Sequence, residues 1–62
     1  MGMTTLGPKF TVNENNRHAD VYDRRTHYTI ECYNNRVWQA VRTAATEEEA
    51  RTISNEYVKE IT

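Results

Sequence analysis

One cysteine, one proline and two glycines are all that this 62-residue chain has of those residues, and Gly2, Gly7 and Pro8 sit within its first eight positions. A lone Cys32 excludes an intramolecular disulfide, and no Cys/His box is present to staple the loops with zinc. With glycine confined to the start, the later turns must rely on asparagine, which tolerates positive φ better than any other residue except glycine. No apolar run is long enough for a signal peptide or a membrane span. There is no Asn-x-Ser/Thr acceptor, Leu6 stands where a myristoylation motif needs Ser or Thr, and neither a phosphate-binding glycine loop nor a nucleophile triad is present. These absences point away from secretion, membrane insertion and enzymatic chemistry, and the chain reads as a cytoplasmic, non-enzymatic protein without cofactor or metal.

A net charge of −1 conceals an asymmetry. Residues 1–43 carry a balance of +2 and residues 44–62 one of −3. Committed nucleic-acid binders hold a far stronger positive field, so this balance permits a small basic patch and does not demand nucleic acid. A chain of this size buries only about 60 % of its unfolded surface. With no internal staple, homodimerisation is the natural further source of stability.

The stretch 28–61 organises the rest. Tyr28 to Tyr33 alternates, sending Tyr28, Ile30 and Cys32 to one side and Thr29, Glu31 and Tyr33 to the other. If Asn34-Asn35 is a two-residue loop, Tyr33 faces Arg36, Cys32 faces Val37, Glu31 faces Trp38 and Tyr28 faces Val41. The core face then takes Val37 and Val41, with Gln39, while Arg36, Trp38, Ala40 and Arg42 stand on the open face. A three-residue loop would reverse this and bury Trp38 and Ala40 together with two arginines, so the two-residue loop is preferred.

The helix is marked most plainly. Thr46 with Glu49 forms a capping box, and Glu47, Glu48 and Glu49 occupy the positive end of the helix dipole. Ala50, Ile53, Tyr57 and Ile61, widened by Val58, make an apolar stripe, opposite a solvated side of Glu48, Arg51, Thr52, Asn55 and Lys59. Upstream, residues 1–8 read as a flexible leader and residues 9–62 as one domain. Phe10 and Val12 share one side of a short strand, Glu14 to Arg17 is a turn, and His18 to Asp23 alternates again. A connection at Asp23 to Thr26 sets Tyr22 opposite His27 and His18 opposite Glu31. The fold expected is α+β, a three- to four-stranded antiparallel meander with one C-terminal helix on one face.

The exposed sheet face is the candidate site. Tyr22, Tyr33 and Trp38 with Arg36 and Arg42 resemble both a protein interface, enriched in Trp, Tyr and Arg, and a stacking surface for single strands. Arg24 and Arg25 add cations at a hairpin tip. A protein partner or a second copy is preferred, with nucleic acid on the same face as the alternative. His18, His27 and Asp20 match no metal-ligand spacing, and Asp20, Asp23 and Glu31 lack a pocket to raise a carboxyl pKa for acid-base work. Cys32, on the core face, reads as a buried and inert thiol.

The run Val-Tyr-Asp-Arg-Arg-Thr-His-Tyr-Thr-Ile at 21–30, with Trp38, Thr46-Glu-Glu-Glu-Ala50 and Asn55-Glu-Tyr57, resembles short β-meander-plus-helix proteins encoded in bacteriophage and plasmid accessory genes. The resemblance implies an inhibitor or modulator of a host protein, as in the small phage inhibitor of bacterial RNA polymerase. It also admits groove binding of the kind used by the arm-binding domains of phage integrases, from which this chain departs in its few strand cations and acidic helix.

Overall fold

A computed structural model of the protein describes residues 7–60. Four strands, β1 (Phe10–Glu14), β2 (Arg17–Asp23), β3 (Tyr28–Asn34) and β4 (Val37–Ala44), pair in the antiparallel order β1-β2-β3-β4. One helix, α1 (Glu47–Lys59), packs on one face, giving the α+β fold expected from the sequence. The leader proposed for residues 1–8 falls mostly, and Ile61 wholly, outside the described residues. Among those residues no helix is long and apolar enough to cross a membrane.

Turn chemistry builds the sheet. Asn15 and Asn16 both adopt positive φ, 56° and 62°, in a two-residue loop that sets Glu14 opposite Arg17. That pair of angles is what a type I′ hairpin requires. The third hairpin uses the same geometry one residue later than expected. Asn35 and Arg36, at 54° and 69°, form its loop, and Asn34 pairs with Val37. The two tips are joined by Asn35 N–H donating to Asn16 O at 2.9 Å. Between β2 and β3 the four-residue loop expected from sequence starts one residue later, because Asp23 pairs with Tyr28 and its Oδ1 accepts from Arg25 N at 2.8 Å. His18 therefore lies opposite Tyr33 and Tyr22 opposite Thr29, and His27 belongs to the loop. The slip is two residues, so every β2 side chain keeps its expected face.

The β3–β4 register departs further. After Tyr33 opposite Trp38 a bulge inserts one residue, and Cys32 pairs with Ala40, Glu31 with Val41 and Ile30 with Arg42. An inserted residue reverses side-chain direction beyond it. Trp38, on the turn side of the bulge and opposite Tyr33, faces outward as expected, but beyond the bulge Val41 and Thr43 turn outward too, while Ala40, Arg42 and Ala44 turn to the helix side. Val37, expected in the core, is 58 % exposed, and Val41 is 50 % exposed. The reason is where the helix sits. It packs most on β2, then on β3 and β1, and least on β4, so no roof rewards burial of the β4 valines.

The core is small: Ala19, Val21, Ile30, Cys32, Ala44, Ala50 and Val58, flanked by half-buried Phe10, Val12, Tyr28, Ile53 and Tyr57. The fully buried helix positions are Ala50, Ser54 and Val58, four residues apart, so Ile53 and Tyr57 stand at the margin of the stripe. Ser54, missed as a core residue, is accommodated by donating its hydroxyl to Ala50 O at 2.8 Å. At the helix start, Glu49 N–H donates to Thr46 Oγ1 at 3.1 Å as the capping box requires, whereas Glu49 Oε1 accepts from Ala45 N and not from the cap residue itself.

At the helix C-terminus the terminal carbonyls, which have no partner within a helix, are met by the first hairpin. Asn15 Nδ2 donates to Val58 O at 3.0 Å, and Arg17 Nη1 donates to Tyr57 O at 3.0 Å and Glu60 Oε1 at 3.2 Å. The Arg17 guanidinium also lies over the Tyr57 ring, 4.9 Å from its centroid. Lys9 approaches Glu47 at 3.8 Å, and Arg51 covers the Phe10 ring at 4.4 Å, near the other end of the helix.

Arg17→Ala is expected to lower unfolding free energy by about 2 kcal/mol, in keeping with loss of charge-assisted hydrogen bonds from a half-buried donor. Chemical denaturation reads this, with Arg17→Lys recovering only part because one ammonium cannot reproduce the planar fork. Arg36→Gly is expected to stabilise by about 1 kcal/mol, since a side chain in the left-handed region is removed from the loop. The same denaturation experiment checks it.

Candidate functional site

Two aromatic strands and a bulge set the exposed face. On the side away from the helix, three strands align their residues in cross-strand rows. The first row is His18, Tyr33 and Trp38, the second Asp20, Glu31 and Val41, the third Tyr22, Thr29 and Thr43. The first is a run of rings: His18 and Tyr33 stack with centroids 4.4 Å apart and planes 8° from parallel, and Trp38 stands 54 % exposed beside them.

The second row places two carboxylates directly opposite each other. Like charges in that position repel. Asp20 Oδ1 accepts from Thr11 Oγ1 at 3.1 Å, and Asp20 Oδ2 lies 3.8 Å from His18 Nε2. Glu31 Oε1 accepts from the Tyr33 hydroxyl at 3.1 Å. Among the described residues neither carboxylate forms an ion pair with a lysine or arginine, so the two anions sit in the middle of an aromatic panel with neutral or weak partners. Their field reaches the neighbouring phenols. The hydrogen bond to Glu31, then desolvation and the two carboxylates, hold Tyr33 above the ordinary tyrosine value. Burial, then Glu31 and Asp20, also push Tyr22 up, against the opposing Arg24 charge.

Of the residues proposed from sequence, Tyr22, Arg24, Tyr33 and Trp38 meet on this face. The Arg24 guanidinium covers the Tyr22 ring at 4.8 Å, and its Nε donates to Thr29 Oγ1 at 3.1 Å. Arg25 and Arg36 occupy loop tips at opposite ends of the strands, both with positive φ. Arg42 is the correction. The bulge sends it to the helix side, where it lines an open groove of about 670 Å³ with Ile53, Tyr57, Glu56, Lys59 and Glu60.

Sequence reasoning overlooked the carboxylate pair, because it set Glu31 opposite His18 and not Asp20. The alternation itself placed both acids on the open face, and only where the four-residue loop between β2 and β3 begins decides that they meet. Arg17 was overlooked too, although it shares the inward parity of Ala19 and Val21. In the groove, the Tyr57 hydroxyl is buried with no hydrogen-bond partner among the described residues. Burial raises its pKa, against the opposing charge of Arg17. Beneath, the Cys32 thiol is 1 % exposed and held above its ordinary value by desolvation, with Arg42 acting the other way.

His18 and Asp20 share the panel, while His27 lies in the loop with its Nδ1 2.9 Å from Thr26 Oγ1. Among the described residues no three His, Cys, Asp or Glu side chains converge as a metal site. No family model matches the chain, and no curated protein or solved structure was found similar to it.

Tyr33 offers a direct reading of the carboxylate field. Its folded pKa is raised, so the folded state retains the phenolic proton beyond the unfolded value of 10.0. Stability from this bond is whole below about pH 10 and is lost as pH rises through the folded value. In Glu31→Gln the phenolic absorbance is expected to rise at lower pH than in the parent, and spectrophotometric titration with Tyr33→Phe as reference identifies the ring.

Proposed function

We propose that the protein is a non-enzymatic binding module that engages a protein partner through the open sheet face, with a cationic side chain of that partner received by Asp20 and Glu31. The observation that carries this reading is the cross-strand carboxylate pair, without a lysine or arginine partner among the described residues, between a row of the stacked His18 and Tyr33 with Trp38 on one side and Tyr22 on the other. A guanidinium or ammonium offers each acid a charge-assisted hydrogen bond and relieves their mutual repulsion. The adjoining rings offer cation–π contact and the buried anchors typical of interface hot spots.

The same arrangement counts against phosphate. A strand of nucleic acid laid on the rings would bring its backbone over two carboxylates, and Arg42, one of the cations expected to neutralise it, belongs to the other face. Arg24, Arg25 and Arg36 remain at the margins, where they select for acidic groups flanking a basic segment. By its sequence resemblance to phage and plasmid accessory proteins, the proposal extends to inhibition or modulation of a host protein in the host cytoplasm, with no cofactor and no membrane.

Trp38 is the sole tryptophan, so its fluorescence reports occupancy of the face directly. Arginine-containing peptides are expected to perturb its emission saturably, acidic peptides are not, and Asp20→Asn with Glu31→Gln is expected to weaken binding at least about tenfold, equivalent to about 1.4 kcal/mol. Equal affinity in the neutralised variant refutes the cation-receiving role. Saturable binding of single-stranded DNA, with affinity falling about 0.7 log units per log unit of salt for each phosphate neutralised, would instead establish the nucleic-acid reading.

A further inference from the structure

Beyond recognition of a foreign partner, β4 carries an unused association surface. As the last strand in the sheet order, it leaves the outward backbone N–H and C=O groups of one edge without a strand partner among the described residues. Natural edges are blunted by proline, lysine, short length, a bulge or a covering element. β4 is the longest strand, at eight residues, contains neither proline nor lysine, and is exposed from Val37 to Thr43. The helix packs least upon it. Its bulge lies near the turn, which leaves Ala40–Ala44 as a regular edge.

We infer that this edge pairs antiparallel with β4 of a second copy, across a two-fold axis normal to the sheet and midway between the two facing Val41 residues. Side-chain parity and charge select both the occupant and the register. Residues opposite each other in an antiparallel pair point to the same face, so the pairing must be centred on a residue that faces its own copy and not on the bond between two residues. Centring on Arg42 would set two guanidiniums face to face, which repel. Centring on Thr43 runs the pairing into the helix connection, and centring on Ala40 brings the bulged Gln39 opposite Val41, immediately beside the central pair.

Centring on Val41 brings this half-exposed valine onto its own copy on the open face and sets Arg42 opposite Ala40 on the helix side. The strand has no other charge, and the groove beside it carries two cations, Arg42 and Lys59, with two carboxylates, Glu56 and Glu60, so two copies meet without net repulsion. Such a two-fold joins the sheets with both helices on one side. Both Trp38-bearing panels then lie on the other side, next to the seam. A core of seven small or medium residues gains added strand pairing at the place where the helix gives least cover.

Sedimentation equilibrium of the whole chain is expected to give twice the 7.3 kDa chain mass, and Val41→Lys, at an exposed position, to give one. Circular dichroism confirms that this variant keeps its fold. Under mild oxidation Val41→Cys is expected to cross-link to its copy, because facing Cα atoms in antiparallel strands lie at disulfide distance. Thr11→Cys, on the opposite edge strand, serves as the reference. A monomeric parent at millimolar concentration, a Val41→Lys variant that remains dimeric, or cross-linking at position 41 no faster than at position 11 would each overturn the inference. Because the readout is mass, it is independent of whether peptides bind the open face.

Discussion

Arg17 holds the helix where it is. Its guanidinium reaches a terminal helix carbonyl and the Glu60 carboxylate while lying on the Tyr57 ring, and Asn15 takes the next carbonyl. With Lys9 near Glu47 and Arg51 over Phe10, the helix is tethered toward the β1 side at both ends. Much of what is distinctive in the molecule follows from that displacement. The core concentrates over β2 and β3, β4 is left largely without a roof, and a groove opens between β4 and the helix. A helix drawn instead toward β4 would bury the groove and cover the inward side of the free edge.

The two faces of the sheet obey different rules as a result. On the helix side, small residues predominate where the helix comes closest, with Ala19 and Ala50 among the fully buried positions, and Ser54 tolerated because its hydroxyl bonds within its own helix. On the open side the side chains are larger and the polar groups incompletely matched. Stacked rings, a pair of facing acids and an arginine lying on Tyr22 form a surface whose charges are ordered without being neutralised. A protein under selection for stability alone has no reason to oppose Asp20 to Glu31. The proposed cation-receiving role supplies one.

Edge strand and open face are also geometrically linked through the bulge. One inserted residue lets Trp38 and Val41 both face outward, although simple alternation would separate them. The indole thus stands beside Tyr33, and the valine takes the next row beside Glu31. The proposed self-pairing would set two such panels in one continuous surface, so that a partner with two basic segments would meet two carboxylate pairs, with the gain in affinity that linked sites provide.

The chain order by itself determined the helix, its Thr46 cap, the four alternating runs and the outward direction of Tyr22 and Tyr33, because these depend on local period and capping chemistry. It also marked Cys32 as a core residue through its parity with Ile30. Tertiary structure decided which residues face each other across strands and on which side Val41 and Arg42 emerge. Both Asn34-Asn35 and Asn35-Arg36 satisfy a two-residue loop locally, and the hydrophobic pattern discriminates registers only where something packs above the strand. Over β2 and β3 the helix supplies that discrimination, and the faces read from sequence hold. Over β4, with the helix drawn away by Arg17 and Asn15, burial cannot arbitrate, and the link between the Asn16 and Asn35 tips together with the bulge sets the outcome.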